Sequence, residues 1–303
     1  MMYDIAIIGS GAAGETAALY ALRAKKSVLL LEKGSFGGQI AFSPRVENFP
    51  TRTVISGAEF ADALTEQVLS HGVDVEIEEV VGIKDLGDHK EILTDTDSVF
   101  QAKSVIIATG ARHRMLGLDR EHELVGNGIS FCAVCDGAFF ADKHVGVVGG
   151  GNSALQEAVL LSEQCSKVTI VQNLDELTGE QALQDQLRSK DNVEIITGVT
   201  VSELLGDKEL TGIKIKNAAG EQQELALDGL FIAIGLQPQN EPFADVMTLD
   251  DYGYAASGED CTTKTPGVFV AGDCRKKQIR QLTTACADGS IAALAACRYL
   301  ETL

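Results

Sequence analysis

Two cysteines separated by two residues, in Phe131-Cys132-Ala133-Val134-Cys135-Asp136-Gly137, are the residues of this chain best suited to chemistry. At this spacing, and at the start of a helix, Cys132 and Cys135 can close a small disulfide ring; a helix start also lowers a thiol's pKa and makes its thiolate reactive. The adjacent Asp136 supplies a carboxyl that can give or take the proton that moves as a thiolate leaves or forms. Half a zinc site is the competing chemistry, but zinc requires two further ligands at sensible spacing. Cys261 and Cys274 are not a close pair, and His71, His89, His113, His122 and His144 are scattered. The residues therefore read as a redox pair. Cys165 and Cys297 fall on helix-like apolar stretches and read as small core hydrophobes. The same structural expectation holds for Cys274 and Cys286, with an auxiliary thiol role as the alternative.

A redox pair needs elements that position it and a cofactor that feeds it. The first apolar run, residues 3–8, ends in Gly9-Ser10-Gly11-Ala12-Ala13-Gly14, followed by a helix-like stretch and the run Val28-Leu29-Leu30-Leu31-Glu32. That is strand, glycine turn, helix, strand. Gly9 permits the tight turn, Gly11 lets the backbone approach a pyrophosphate, and Gly14 lets the helix pack closely on the strand. Glu32 ends the second strand, where an acid accepts hydrogen bonds from a ribose. The unit returns as residues 144–148, then Gly149-Gly150-Gly151-Asn152-Ser153-Ala154, a helix through Glu163, and a strand over 167–171. Gly9 to Glu32 and Gly149 to Gln172 both span 23 positions, so Gln172 stands at the ribose position of the second unit.

Two such units predict two dinucleotides, a tightly held flavin and a diffusible nicotinamide. The expected fold is α/β with two Rossmann-like dinucleotide-binding domains, the second inserted into a discontinuous first. Residues 1–114 and 243–303 would form the flavin domain, and 115–242 the domain carrying the nicotinamide site and the redox disulfide. The glycine-terminated runs at 106–111 and 230–235 mark the hinges.

Composition fits. Hydrophobic residues make up 45% of the chain, enough for a well-buried core. A net charge of −19 repels nucleic acid and anionic membranes, so neither is an expected partner. Seven cysteines is an odd count. With no basic leader and no apolar stretch long enough to span a bilayer, thiols in a reducing cytoplasm are the expectation.

Together with Gly37-Gly38-Gln39, Val46-Glu47-Asn48-Phe49-Pro50 and Ala271-Gly272-Asp273-Cys274 followed by Arg280-Gln281, these motifs resemble the low-molecular-weight thioredoxin reductase family over essentially the whole chain. The resemblance implies an FAD-dependent thioredoxin-disulfide reductase and a homodimer in which each subunit holds one flavin. It implies that Gly9, Ser10, Gly11, Ala12, Ala13, Gly14, Glu32, Lys33, Gly38, Gln39, Asn48, Thr109, Gly110, Gly272, Asp273, Arg280, Gln281 and Leu282 surround FAD. A helix beginning near Ala285 would aim at the flavin ring. Gly149, Gly151, Asn152, Ser153, Ala154 and Gln172 would hold the nicotinamide nucleotide. Also implied are roles for the sulfurs: Cys135 toward the flavin, Asp136 for the proton, and Cys132 toward thioredoxin or a thioredoxin-like protein. Ala138-Phe139-Phe140 is then either a docking patch for that partner or core.

The chain departs from the family in one place that bears on the electron donor. Members that use NADPH carry a basic cluster, His-Arg-Arg and a further Arg, around the 2′-phosphate. Here the matching positions are Gln172, Asn173, Leu174 and Thr178, with Asp175 and Glu176 between them. A 2′-phosphate would meet carboxylates instead of cations, so NADH is expected in preference to NADPH. A second departure, Leu118-Asp119-Arg120-Glu121 and Gly126-Asn127-Gly128, lies on the approach to the redox motif. Reduced ferredoxin as donor, a flavin-dependent dithiol oxidase and a non-catalytic flavin redox sensor are the alternatives that the residues leave open.

Overall fold

The structure, a computed structural model, describes residues 1–43 and 46–303. The elements of the first stretch are β1 (Met2–Ile8), α1 (Ala12–Arg23), β2 (Val28–Glu32), α2 (Gly57–Ser70), β3 (Asp74–Ile77), β4 (Val80–Asp85), β5 (Lys90–Thr94), β6 (Val99–Ile107) and β7 (Ala111–His113). Next come α3 (Glu121–Leu124), β8 (Ile129–Ser130), α4 (Ala133–Asp136), β9 (His144–Val148), α5 (Asn152–Ser162), β10 (Lys167–Val171), α6 (Gln181–Arg188) and β11 (Val193–Ile196). The chain continues through β12 (Val199–Leu205), β13 (Gly212–Asn217), β14 (Gln222–Ala226), β15 (Gly229–Ile232) and β16 (Leu236–Pro238), then closes with β17 (Val268–Val270) and α7 (Leu282–Leu300).

The chain divides into two compact units, one made of residues 1–112 with 237–303 and the other of residues 113–236. In the first, strands run in the order β3-β2-β1-β6-β5-β4, with β17 also paired to β6. β1, β2, β3, β6 and β17 pair in parallel, whereas β4 and β5 are antiparallel additions. Parallel strands are covered on both faces and so read as continuous apolar runs. Ile5, Ala6, Ile7 and Ile8 are all buried, the odd positions against α1 and α7 and the even ones against residues such as Val246 and Met247. Each branched aliphatic fully buried here contributes roughly 1.5–3 kcal/mol. α7 begins at Leu282, three residues before the expected Ala285. Gln281 and Thr284 form a reciprocal cap that starts the helix there.

In the second unit a five-stranded parallel sheet, β11-β10-β9-β15-β8, sits between two apolar clusters. The antiparallel sheet β12-β13-β14 beside it alternates, with Ile213 and Ile215 buried and Lys216 exposed, as a sheet with one solvated face requires. α5 ends at Ser162, so Cys165 lies just beyond it, still buried. Phe140 is partly buried and packs edge-on against Phe231 of the core.

Both units contain the same strand-loop-helix-strand unit in the same register. Gly9 N–H donates to Leu31 O (2.8 Å) and Gly149 N–H to Val171 O (2.9 Å). Ala108 N–H donates to Ile8 O (2.8 Å), and Ala233 N–H to Val148 O (2.9 Å). Among the described residues no helix is long and apolar enough to cross a membrane.

Candidate active site

The redox turn is built by β8, α4 and α5. Cys132 caps α4 and is joined to Cys135 by a disulfide, with the two Cα atoms 5.3 Å apart. That separation lies in the ordinary disulfide range. Cys132 N–H donates to Ser130 Oγ (3.1 Å), and the Ser130 hydroxyl donates to Asp136 Oδ2 (2.6 Å). Asp136 Oδ1 is buried without a hydrogen-bond partner. Burial raises the Asp136 pKa, and the Ser130 hydroxyl partly opposes this. A carboxyl so placed keeps its proton to a higher pH than an ordinary aspartate. From α5, Glu157 Oε2 accepts Ala133 N–H (3.0 Å). Burial, and after it the charge of Asp136, push Glu157 up to about 7 against that N–H.

The other thiols are poor nucleophiles. Burial pushes Cys165 and Cys274 up to about 11 and Cys261 up to about 12, and raises Cys286 and Cys297. Among the described residues no group of three or more His, Cys, Asp or Glu could hold a metal ion.

In the first unit the glycine loop forms a cradle without side chains at the head of α1. Gly9 adopts φ 102°, and a Cβ there would lie 2.5 Å from Ala108 O. A Cβ on Gly14 would collide with Gly9 O, and Gly38 approaches Gly11 so closely that its Cβ would reach within 2.9 Å of Gly11 Cα. Ser10, Ala12 and Ala13 complete the loop, and Gly272 packs against Ala13, bringing Asp273 to the same place. Glu32 Oε2 accepts Ser10 N–H (2.8 Å) and Ser10 Oγ–H (3.0 Å), and its Oε1 accepts Gly34 N–H (3.0 Å). Asp273 Oδ1 is buried and unpartnered, and burial raises its pKa against the charges of Lys277 and Arg280. Arg280 stacks 4.2 Å over Tyr254 and donates to Asp273 O (3.4 Å).

Asn48 donates to Gln281 Oε1 (3.1 Å), beside Leu282, and Thr109 Oγ1 donates to Asn240 Oδ1 (3.3 Å) next to Gly110. Gln39 is exposed on a short turn, and Lys33 is drawn aside to Glu79 (3.1 Å) and Gln239 (2.9 Å). A bare cradle at a helix N-terminus, with an unpaired buried carboxyl oxygen beside it, fits the pyrophosphate and hydroxylated linker of FAD.

In the second unit Gly149 adopts φ 129°, and its Cβ would lie 2.5 Å from Ala233 O. Ala154 takes the place of Gly14, and Asn152 and Ser153 are exposed at the head of α5. Two differences stand out. Gln172 lies over Gly150, where a Cβ would come within 2.6 Å of its amide, and it donates to Glu176 O (3.4 Å). Asn152 is held by Glu180, donating to Oε1 (3.1 Å) and accepting Glu180 N–H (2.7 Å). Asn173, Leu174, Asp175, Glu176 and Thr178 are exposed.

Comparison with known proteins agrees with this geometry. Residues 3–289 match the pyridine nucleotide-disulphide oxidoreductase family. The chain belongs to that family. Among relatives, thioredoxin reductase of Listeria monocytogenes is 42% identical over 306 residues, covering 100% of this chain and 95% of the relative. A Clostridium pasteurianum protein described as a 34.2 kDa protein in the rubredoxin operon is 42% identical over 299 residues, or 98% and 97% of the two chains. The crystal structure of thioredoxin reductase from Streptococcus pyogenes matches with a TM-score of 0.94 at 41% identity, covering 100% of this chain and 99% of that one. The chain is an oxidoreductase, a thioredoxin reductase-like flavoenzyme of the low-molecular-weight kind, and the family implies FAD and a pyridine nucleotide.

Ser130, Glu157 and Asn240 were not singled out by the sequence. Ser130 carries a faint local signal, a hydroxyl two residues before the first cysteine of the motif. Glu157 carries none, because α5 brings it to Ala133 from 24 positions away.

Proposed function

We propose that the chain is an FAD-dependent reductase of thioredoxin or a similar dithiol protein, working through Cys132 and Cys135 and driven by NADH in preference to NADPH. The observation that carries this reading is the Cys132–Cys135 disulfide beside a half-buried Asp136 whose Oδ1 is buried and free, in a chain whose other unit offers a flavin cradle. The residues assigned to FAD are those of the first unit and the residues assigned to the nicotinamide are those of the second, as read from the sequence. FAD, when bound, supplies an electron pair to the disulfide.

Cleaving Cys132–Cys135 with that pair and two protons gives a dithiol, and Asp136 would carry a proton to or from Cys135. Cys132 as thiolate then attacks the partner's disulfide, forming a mixed disulfide as one partner sulfur leaves. Cys135 attacks the Cys132 sulfur, re-forming the internal disulfide and releasing the second partner sulfur. The partner gains two electrons and the pair loses two. A homodimer and a cytoplasmic setting belong to the same reading.

Preference for NADH rests on the exposed, uncharged or acidic positions 173–176 and 178 around a 2′-phosphate. One observation favours a second reading, in which a reduced protein such as ferredoxin is the donor: Gln172 lies over Gly150, within the loop a nucleotide would use. Steady-state thioredoxin reduction with each donor decides. Turnover with NADH at least tenfold above NADPH supports the proposal, and flavin bleaching by reduced ferredoxin alone replaces the donor but keeps the thiol chemistry. Loss of turnover in Cys132→Ser with flavin reduction retained supports an enzyme, whereas no turnover in the wild type removes it.

A further inference from the structure

Once the S–S bond is broken, something else must keep the two sulfurs within reach of each other. The turn offers two side-chain clamps, one on each side of Cys132. Ser130 bridges Cys132 N–H to Asp136, and Glu157 holds Ala133 N–H from the neighbouring helix. Both are local to the second unit, and both reach α4 from other elements, β8 and α5. α4 itself is a single turn of four residues, too short to hold its shape alone. Its Cys135 and Asp136 N–H groups return to Cys132 O (3.2 and 3.0 Å), which leaves Ala133 N–H to find a partner outside the turn.

We infer that Glu157 is a positioning residue for the dithiol state: its bond to Ala133 N–H, with the Ser130 bridge, keeps Cys132 and Cys135 in closing geometry after reduction. The inference rests on the proposed function in taking Cys132 and Cys135 as the working pair. A preorganised dithiol re-forms its disulfide readily, because the two thiols retain a high effective concentration. Such a pair is a strong reductant, since its oxidised form is favoured. Loosening the turn lets the thiols separate and leaves the electrons on the pair. Glu157 acts here as a hydrogen-bond acceptor. Its carboxyl, pushed up to about 7 by burial and faced by Asp136, works without a permanent charge.

The test equilibrates flavin-loaded protein anaerobically with mixtures of reduced and oxidised dithiothreitol, followed by acid quench and alkylation of Cys132 and Cys135. Glu157→Leu removes the acceptor at similar volume and is expected to shift the equilibrium about tenfold toward the dithiol, equivalent to about 30 mV. Glu157→Gln keeps a carbonyl acceptor and is expected to stay within about twofold of the wild type. An unshifted Glu157→Leu overturns the inference, and so does Glu157→Gln shifting as far as Glu157→Leu. Where Glu157→Leu does not fold, Ser130→Ala reads the other clamp: a shift in the same direction supports the inference and an unchanged equilibrium overturns it. Wild-type turnover with thioredoxin, measured separately, tests the proposed function; its failure would leave the equilibrium of the pair intact.

Discussion

The two glycine loops share a backbone and differ in what closes over it. In the first, Glu32 stands at the strand end with its carboxylate bound to Ser10 and Gly34, and a buried Asp273 oxygen waits beside a bare cradle. In the second, Gln172 folds onto Gly150, and Glu180 holds Asn152 at the head of the helix. Glycine spacing therefore determines the loop, and the side chains that follow determine its guest. On the proposed reading, the loop with few competing side chains takes the resident cofactor, and the one crossed by Gln172 and bordered by carboxylates takes the visiting nucleotide.

The sharpest way to break this comparison is to damage each loop in the same manner. Gly9→Val places a β-branched residue at positive φ against Ala108 O, a strain plus overlap of roughly 2–5 kcal/mol. The expected product is protein without flavin. Gly149→Val meets the same obstacle at Ala233 O, yet it is expected to retain flavin and lose nucleotide-driven reduction. The flavin-to-protein absorbance ratio checks both, and flavin loss from Gly149→Val alone would reverse the assignment of the loops.

A second prediction sharpens the difference at the ribose end. Asn173→Arg, Leu174→Arg and Thr178→Arg together supply the missing cations, at about 1.5 kcal/mol or more for each charge-assisted bond that forms. Two such bonds are expected to move the NADPH-to-NADH ratio of kcat/KM by on the order of a hundredfold, read from initial rates.

The smallest expected effect concerns Glu15 on α1, the helix that follows the first loop. Burial pushes its carboxyl up to about 7; the Thr65 hydroxyl (2.7 Å) opposes this and the charge of Glu32 adds to it. The folded state keeps this proton where the unfolded state has released it, so stability falls as pH rises from about 4.5 to about 7 and is level above. Glu15→Gln removes that loss. The variant is expected to gain roughly 1–3 kcal/mol over wild type at pH 8 relative to pH 5, measured by urea unfolding.

Much of this was legible in the sequence, for physical reasons. Parallel strands buried on both faces leave continuous apolar runs, and the two positive-φ glycines that start the loops leave a fixed spacing, so β1-α1-β2 and β9-α5-β10 were readable together with their common register. The cysteine pair was readable because its chemistry is local. Contacts made by tertiary folding were hidden: Glu157 on Ala133, Gln172 over Gly150, and Asn240 joining Thr109 to Gly253 O and Cys274 O. The start of α7 was misplaced because the cap lies in Gln281 and Thr284, residues that were read for a cofactor or not at all. Phe140, left open between surface and core, is partly buried against Phe231, a contact that the sequence does not show.

The claim at the centre is that flavin electrons pass to the Cys132–Cys135 disulfide, and anaerobic reductive titration measures this directly. Flavin-loaded wild type is expected to take up about two electron pairs per chain, one for the flavin and one for the disulfide, and Cys135→Ser about one. Uptake of a single pair by both proteins would contradict it.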